Sequence, residues 1–320
     1  MTLHKLRSLV GSAALTALLS TQVHASPLYM TYFDSAVTSS SQIPFGVAVA
    51  NRSPSGFTTV NSWLHGPSGT ESRDTSRGPI AVANGRIDVA GPFTRAYDLA
   101  GASLGSSICL GCDYLFPGPV YDGTTDGGYN YTVGIGPARV PGIWRTDRVW
   151  QNAVFFSLAS LASAGEEFTG ITYDRARQSL WLLGSGAAGF SSTTRFVEVG
   201  LDFSFKSEFS AFGPGYGSRA GALAMDYEDD SLWVVPFGMG SPGINTIYSY
   251  TVSGQYGQTL AFNPLPSTRN FFGAEFELPA AASVAEPTTA SLVLLATLVV
   301  VGVRSRRPQI RAAKGPKAMR

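Results

Sequence analysis

Apolar and polar residues alternate in short runs along most of the chain, and two of these runs return at a fixed distance. Segment 170–174 (GITYD), followed by 179–183 (SLWLL), reappears 52 residues later as 222–226 (ALAMD) and 231–235 (SLWVV). Each copy predicts a strand, a polar turn opened by Asp, and a second strand rich in aromatic and β-branched residues. This is the pattern of a β-hairpin.

The same spacing extends in both directions. Subtracting 52 residues leads to 118–122 (GPVYD) and 129–133 (YNYTV), a third copy with Tyr129 in the place of the tryptophans Trp181 and Trp233. Another unit opens at 272–276 (FGAEF). A repeat of about 50 residues built from hairpins is typical of a propeller blade or a similar β array.

Two further stretches complete the pattern. Segments 80–83 and 87–90 flank Asn84-Gly85, a strong hairpin signal, and 97–101 follows as a third strand. The weakly patterned segment 26–77 is expected to supply the strands that close the ring. We therefore predict an all-β, β-propeller-like array of about five to six blades over residues 26–279.

Composition agrees with a large exported β-domain. The chain has 320 residues, of which 44% are hydrophobic and only 14% charged, with 36 Gly and 19 Pro to separate short strands. Of the 23 Lys and Arg, two lie in the first 26 residues and seven follow Val303, which leaves 14 against 22 acidic residues. The body is thus near −8, and this charge does not favour nucleic acid.

The N-terminus has the three parts of a secretory signal peptide. Lys5 and Arg7 begin it, an apolar run follows over 9–19, and small residues end it. We predict that residues 1–25 form the signal peptide, with signal peptidase cleaving between Ala25 and Ser26. The alternative is a buried N-terminal helix.

The C-terminus changes composition abruptly after Pro279. A linker and short motif over 280–287 precede 16 uncharged residues, 288–303, and then a basic tail, 304–320. The uncharged segment predicts a transmembrane helix, with the arginines kept on the cytoplasmic side and the body outside. The alternative is a buried core helix. The basic residues that stop the segment are Arg304, Arg306 and Arg307.

This tail resembles the PEP-CTERM sorting signal, in which a Pro-Glu-Pro motif precedes a hydrophobic helix and an arginine cluster. The matching motif here is Val284, Ala285, Glu286 and Pro287, with Ala285 in place of the first proline. The resemblance implies an exosortase-like sorting protease in a Gram-negative bacterium. It would cleave at the inner membrane and pass the body to the cell surface or an exopolysaccharide matrix.

The order of strand, Asp, turn and Leu-Trp strand within each unit resembles NHL-type and lactonase-like propellers. The resemblance covers about 200 residues. It implies a propeller body, and in the lactonase-like case a central metal held by carboxylates.

Residues suited to catalysis are few. Once the signal peptide is removed, His65 is the remaining histidine, and it is expected to be a solvated loop residue. For Cys109 and Cys112 we expect a disulfide in an exported protein, with free thiols as the alternative. Asp122 and Asp126 resemble a calcium loop, although the EF-hand spacing is missing, and a turn in the hairpin position of the other aspartates is the alternative.

Two functions follow from these observations. The first is a non-enzymatic surface or matrix protein whose propeller binds a glycan or protein ligand, or serves as a scaffold, without a cofactor. The second is a metal-dependent hydrolase or lactonase acting in the periplasm or outside the cell. The feature that separates them is whether several Asp, Glu or Asn side chains converge on the central channel, because a catalytic calcium needs about six oxygen ligands.

Overall fold

The computed structural model describes residues 26–34, 42–65, 70–72, 78–90, 94–107, 118–185, 193–212, 221–236, 246–263 and 269–280. The predicted signal peptide, Cys109, Cys112 and the predicted membrane helix lie outside these ranges. The chain divides into two units, Met1–Pro279 and Ala280–Arg320, and every described strand lies in the first. No helix in the described ranges is long and apolar enough to cross a membrane.

The described residues form an all-β structure in which one short 3-10 turn, Pro137–Arg139, stands among strands. In chain order the strands are β1 (Leu28–Asp34), β2 (Gln42–Ser53), β3 (Gly56–Leu64), β4 (Thr70–Ser72), β5 (Ile80–Ala83), β6 (Arg86–Val89), β7 (Thr94–Asp98), β8 (Ser103–Ser107), β9 (Val120–Thr125), β10 (Asn130–Ile135), β11 (Pro141–Thr146), β12 (Val154–Ser157), β13 (Glu167–Asp174), β14 (Ser179–Ser185), β15 (Thr193–Gly200), β16 (Phe205–Phe212), β17 (Ala222–Asp226), β18 (Ser231–Val235), β19 (Thr246–Thr251), β20 (Tyr256–Asn263) and β21 (Arg269–Phe276).

These strands make a propeller of five blades within the described ranges. Blades one to four are the antiparallel sheets β5–β8, β9–β12, β13–β16 and β17–β20, each with four strands in chain order. The fifth blade has the order β21-β1-β2-β3. The innermost strands contact one another around the ring: β5 meets β9, then β13, β17 and β21 follow, and β21 meets β5. This confirms the predicted propeller.

The fifth blade joins the two ends of the ring. Its innermost strand, β21, pairs antiparallel with β1 from Leu28↔Phe276 to Asp34↔Arg269. The segment before residue 77 therefore supplies the closing strands, as predicted. Blades four and five also touch at their outer edges, where β20 pairs in parallel with β3. In addition, β4 pairs with β2.

The hydrophobic core lies between neighbouring sheets. Trp181 packs between blades three and four, and Trp233 meets Phe57 edge-on at 5.2 Å between blades four and five. Trp144 and Trp150 are buried as well, at 6% and 0% exposed. Trp150 packs between blades one and two.

Two hairpins test the predicted register. The Asn84-Gly85 turn is confirmed, with φ of 55° and 73° at its two central residues. The third copy of the repeat is placed wrongly. Asp174 pairs with Ser179, but the equivalent pair in blade two is Thr125 with Asn130, so the true spacing there is 49 residues.

The three-residue shift corrects two assignments. Tyr129 does not occupy the tryptophan position; it lies in the turn and is 48% exposed. Asp122 is not a turn residue either, because it lies inside β9. The hairpin turns of blades two and three have the same length, so the shift arises in the chain that connects the two hairpins.

His65 also differs from its prediction. It is fully buried instead of solvated. Its Nδ1 lies 3.0 Å from the Tyr97 hydroxyl, and its ring meets Phe45 edge-on at 5.0 Å. The Gly-Pro-Ser sequence after His65 gives no sign of this, since the burial comes from contacts between blades one and five.

Candidate functional site

One carboxylate lies on the propeller axis, where the innermost strands of four blades meet. Asp122 of β9 is fully buried. Its Oδ1 accepts the backbone N–H groups of Gly123 and Ala274 at 2.9 and 3.0 Å. Its Oδ2 accepts those of Ile171 and Leu223 at 3.0 and 2.8 Å. Asp122 thereby links β9, β13, β17 and β21 through a single side chain.

A second buried carboxylate, Glu275 of β21, lies next to Asp122 on the axis and is 1% exposed. The hydroxyl of Thr172 donates to its Oε1 at 3.2 Å, and the Thr124 hydroxyl also bonds it. Each threonine oxygen in turn accepts a backbone N–H, from Met225 at 2.9 Å for Thr172 and from Tyr173 at 3.0 Å for Thr124. Each threonine thus bonds both Glu275 and the backbone of the next innermost strand, which is β17 for Thr172 and β13 for Thr124.

The two axial carboxylates differ in the donors that surround them. Burial raises the pKa of Asp122 well above its ordinary value, and its four backbone donors, which stabilise the ionised form, offset only part of this rise. Burial also raises the pKa of Glu275 well above its ordinary value, and the charge on Asp122 raises it further. Because both oxygens of Asp122 already accept two N–H groups, we infer that Glu275 is the member that keeps a proton.

The turn aspartates have a different role, at the ends of the innermost strands. Asp126 accepts the N–H of Gly128 at 2.7 Å, and Asp174 accepts that of Arg177 at 2.9 Å. Asp226 accepts the N–H two residues further on at 2.9 Å. Burial is the main cause that raises the pKa of Asp226 to about 6. These side chains close turns, as the position of Asp174 and Asp226 in the repeat predicts.

The expected pairing of Asp122 with Asp126 in one cation loop is therefore corrected. Asp122 faces the axis, whereas Asp126 caps the turn that follows β9. The sequence reasoning also did not single out Glu275, Thr124 and Thr172. An acidic residue between apolar neighbours in 271–276 (FFGAEF) was the available signal, since a buried charge in an innermost strand must find partners.

A central metal, as lactonase-like propellers require, does not fit these residues. A hard cation such as calcium takes about six to eight oxygen ligands. The oxygens of Asp122 already accept four N–H groups, which leaves Glu275 as the other axial carboxylate. Across the residues that the structure describes, no three Asp, Glu, His or Cys side chains lie close enough to hold a metal ion.

No family model matches the chain, and no curated protein matches it. Among solved structures, TolB from Acinetobacter baumannii is 11% identical, with 85% of this chain and 71% of TolB covered and a TM-score of 0.43. The β-propeller domain of Myceliophteria thermophila Swd1 is 12% identical, with 78% and 95% covered and a TM-score of 0.36.

AztD from Citrobacter koseri is 10% identical over 72% of this chain, with a TM-score of 0.34, and the match spans 59% of AztD. Identities and TM-scores this low carry no argument about function. The description of the chain as a propeller rests on its own sheets and on the ring of contacts between their innermost strands.

Proposed function

We propose that this chain is an exported, non-enzymatic surface or matrix protein whose β-propeller serves as a binding or scaffold module. The observation that carries the proposal is the axis. Both oxygens of Asp122 are occupied by backbone amides from four innermost strands, so the protein itself fills the centre. A partner must then bind on a face of the propeller or between blades.

Export and sorting follow from the two ends of the sequence. The basic and apolar start with its small residues before Ser26 supports secretion, and the first described strand begins shortly afterwards at Leu28. The Glu286-Pro287 motif, the apolar segment 288–303 and the arginines after it support sorting through a PEP-CTERM-like signal. The proposed partners are signal peptidase, an exosortase-like protease, the inner membrane and a glycan or protein ligand.

The route is tested by intact mass and cell fractionation of the protein from its own host, with and without the gene for the sorting protease. We expect loss of residues 1–25 and of the chain after about Pro287, with the body at the surface or in the medium. Deleting the protease gene is expected to leave the body in the inner membrane. An uncut C-terminus in both strains would refute the sorting proposal.

The non-enzymatic part has a separate test. A propeller built around a catalytic calcium loses thermal stability when the metal is removed, because the ion stabilises only the folded state. For this chain we expect the same melting temperature in a chelator, in buffer and in added calcium. A drop in the melting temperature with the chelator that calcium restores would favour the hydrolase instead.

A further inference from the structure

A cavity of about 230 Å³ lies between the first two blades, away from the axis. Strands β6, β7 and β8 form most of its wall, and the turn after β11 closes it from blade two. The wall includes Arg86, Asp88, Thr94, Arg95, Leu104 and Val149. Cavities for drug-sized ligands measure roughly 300–1,000 Å³, so this one suits a ligand of a single small ring.

Two guanidinium groups from different blades meet one carboxylate beside this cavity. Arg86 holds Asp88 with Nε 2.9 Å from both carboxylate oxygens and Nη2 2.7 Å from Oδ1. Arg148 approaches from blade two, with Nη2 3.9 Å from Asp88 Oδ2. The Asp88 side chain is 3% exposed. Two positive charges therefore face one negative charge in a largely buried setting.

A third arginine lies in the cavity wall and has an unused donor. The Nε of Arg95, on β7, is buried and has no hydrogen-bond partner in the described part of the chain. Arg86 donates to Asp88 through Nε and Nη2. Buried donors and buried charges are nearly always paired in folded proteins, so this surplus indicates an anionic acceptor.

We propose that the cavity binds the carboxylate group of a small acidic ligand, and that a uronic acid is the ligand class that fits it. A planar carboxylate matches the fork of a guanidinium group, and the Thr94 hydroxyl lies in the same wall. Leu104, 54% exposed, offers apolar surface to a sugar ring. This inference rests on the proposed binding role and names its ligand.

The test measures binding to the full chain purified in mild detergent, so it does not depend on where the protein is sorted. Glucuronate is titrated by calorimetry at low salt, with glucose as the neutral probe and sulfate as the non-planar anion. We expect glucuronate to bind and glucose not to bind. We also expect added salt to weaken glucuronate binding, because the attraction is between charges.

The variant that tests the site is Arg95→Gln, which removes one positive charge and the unused guanidinium donor from the cavity wall. We expect it to weaken glucuronate binding about tenfold or more, since charge-assisted bonds are lost. The matched control is Arg139→Gln, which removes an exposed arginine from the turn after β10. It should bind glucuronate like the original protein.

Three results would overturn the assignment. These are equal binding of glucose and glucuronate, equal binding of sulfate and glucuronate, and unchanged affinity in Arg95→Gln. A failure of sorting would leave all three measurements intact, so the site and the export route fail separately. Melting curves recorded for each variant establish that a loss of binding reflects the cavity and not unfolding.

Discussion

Replacing Asp122 with Asn is the most direct test of the axial carboxylate. The two side chains have nearly the same shape, but Asn offers one acceptor oxygen and one NH2 donor. One pair of backbone donors, either those of Gly123 and Ala274 or those of Ile171 and Leu223, would then face the NH2 group. Two buried N–H groups lose their acceptor, and the remaining two bonds lose the charge of the carboxylate.

The expected cost follows from those two groups. A buried donor left without a partner costs about 1–3 kcal/mol, so the pair costs about 2–6 kcal/mol. Relief from burying a charge acts in the opposite direction, because the four bonds to Asp122 offset only part of the cost of its burial, so the loss is expected toward the lower end of this range. Against a total stability of about 5–15 kcal/mol for a typical protein, the loss is large.

Urea denaturation followed by tryptophan fluorescence measures the change, because Trp181 and Trp233 are buried between blades. The matched control is Asp126→Asn in the turn of the same blade, where Asn also caps turns and a change below about 1 kcal/mol is expected. A free energy of unfolding that falls by less than about 1 kcal/mol in Asp122→Asn, or equally in both variants, would refute the reasoning. Hydrogen exchange at Leu223 locates any loss.

Three other changes test neighbouring features. The pKa of Glu275 is raised in the fold, so its contribution to stability is greatest in acid and falls as the pH rises above the ordinary carboxyl pKa. Glu275→Gln should therefore flatten the pH dependence of the free energy of unfolding. An unchanged curve would contradict this. A Cβ on Gly123 would lie 2.7 Å from Pro79 Cβ, so Gly123→Ala should cost about 1–3 kcal/mol in urea, and no loss would show that the neighbours move freely. Thr31→Val removes bonds to the Gly78 carbonyl at 2.7 Å and from the Gly273 N–H at 2.9 Å, so a melting temperature equal to the original would count against the importance of this link.

The fold was largely predictable because its signals are local. A strand pair and its turn lie within a few residues of one another, so alternation and turn residues suffice, as at Asn84-Gly85. The register of blade two was not predictable from a constant spacing. Its hairpin turn has the same length as that of blade three, but the chain from Asn130 to Asp174 is three residues shorter than the chain from Ser179 to Asp226.

The site was harder to predict because its partners are distant in sequence. From its neighbours in the sequence alone, Asp122 is predicted to be a turn residue. The backbone N–H groups that its carboxylate accepts come from Ile171, Leu223 and Ala274 on three other blades. The burial of His65 has a similar origin, since its contact with Tyr97 crosses from blade five to blade one. Only the closed ring brings these groups together.

Ring closure and the filled axis depend on each other. Strand β21 pairs with β1 near the start of the described chain, and the same strand supplies the Ala274 N–H to Asp122. The last innermost strand to be synthesised thus completes both the fifth blade and the four-fold set of bonds to the axial carboxylate. Contacts between such distant segments carry a large loop-closure cost that must be met before they contribute stability. The complete ring is therefore expected to form late, once β21 has been synthesised, which is compatible with the proposed export route.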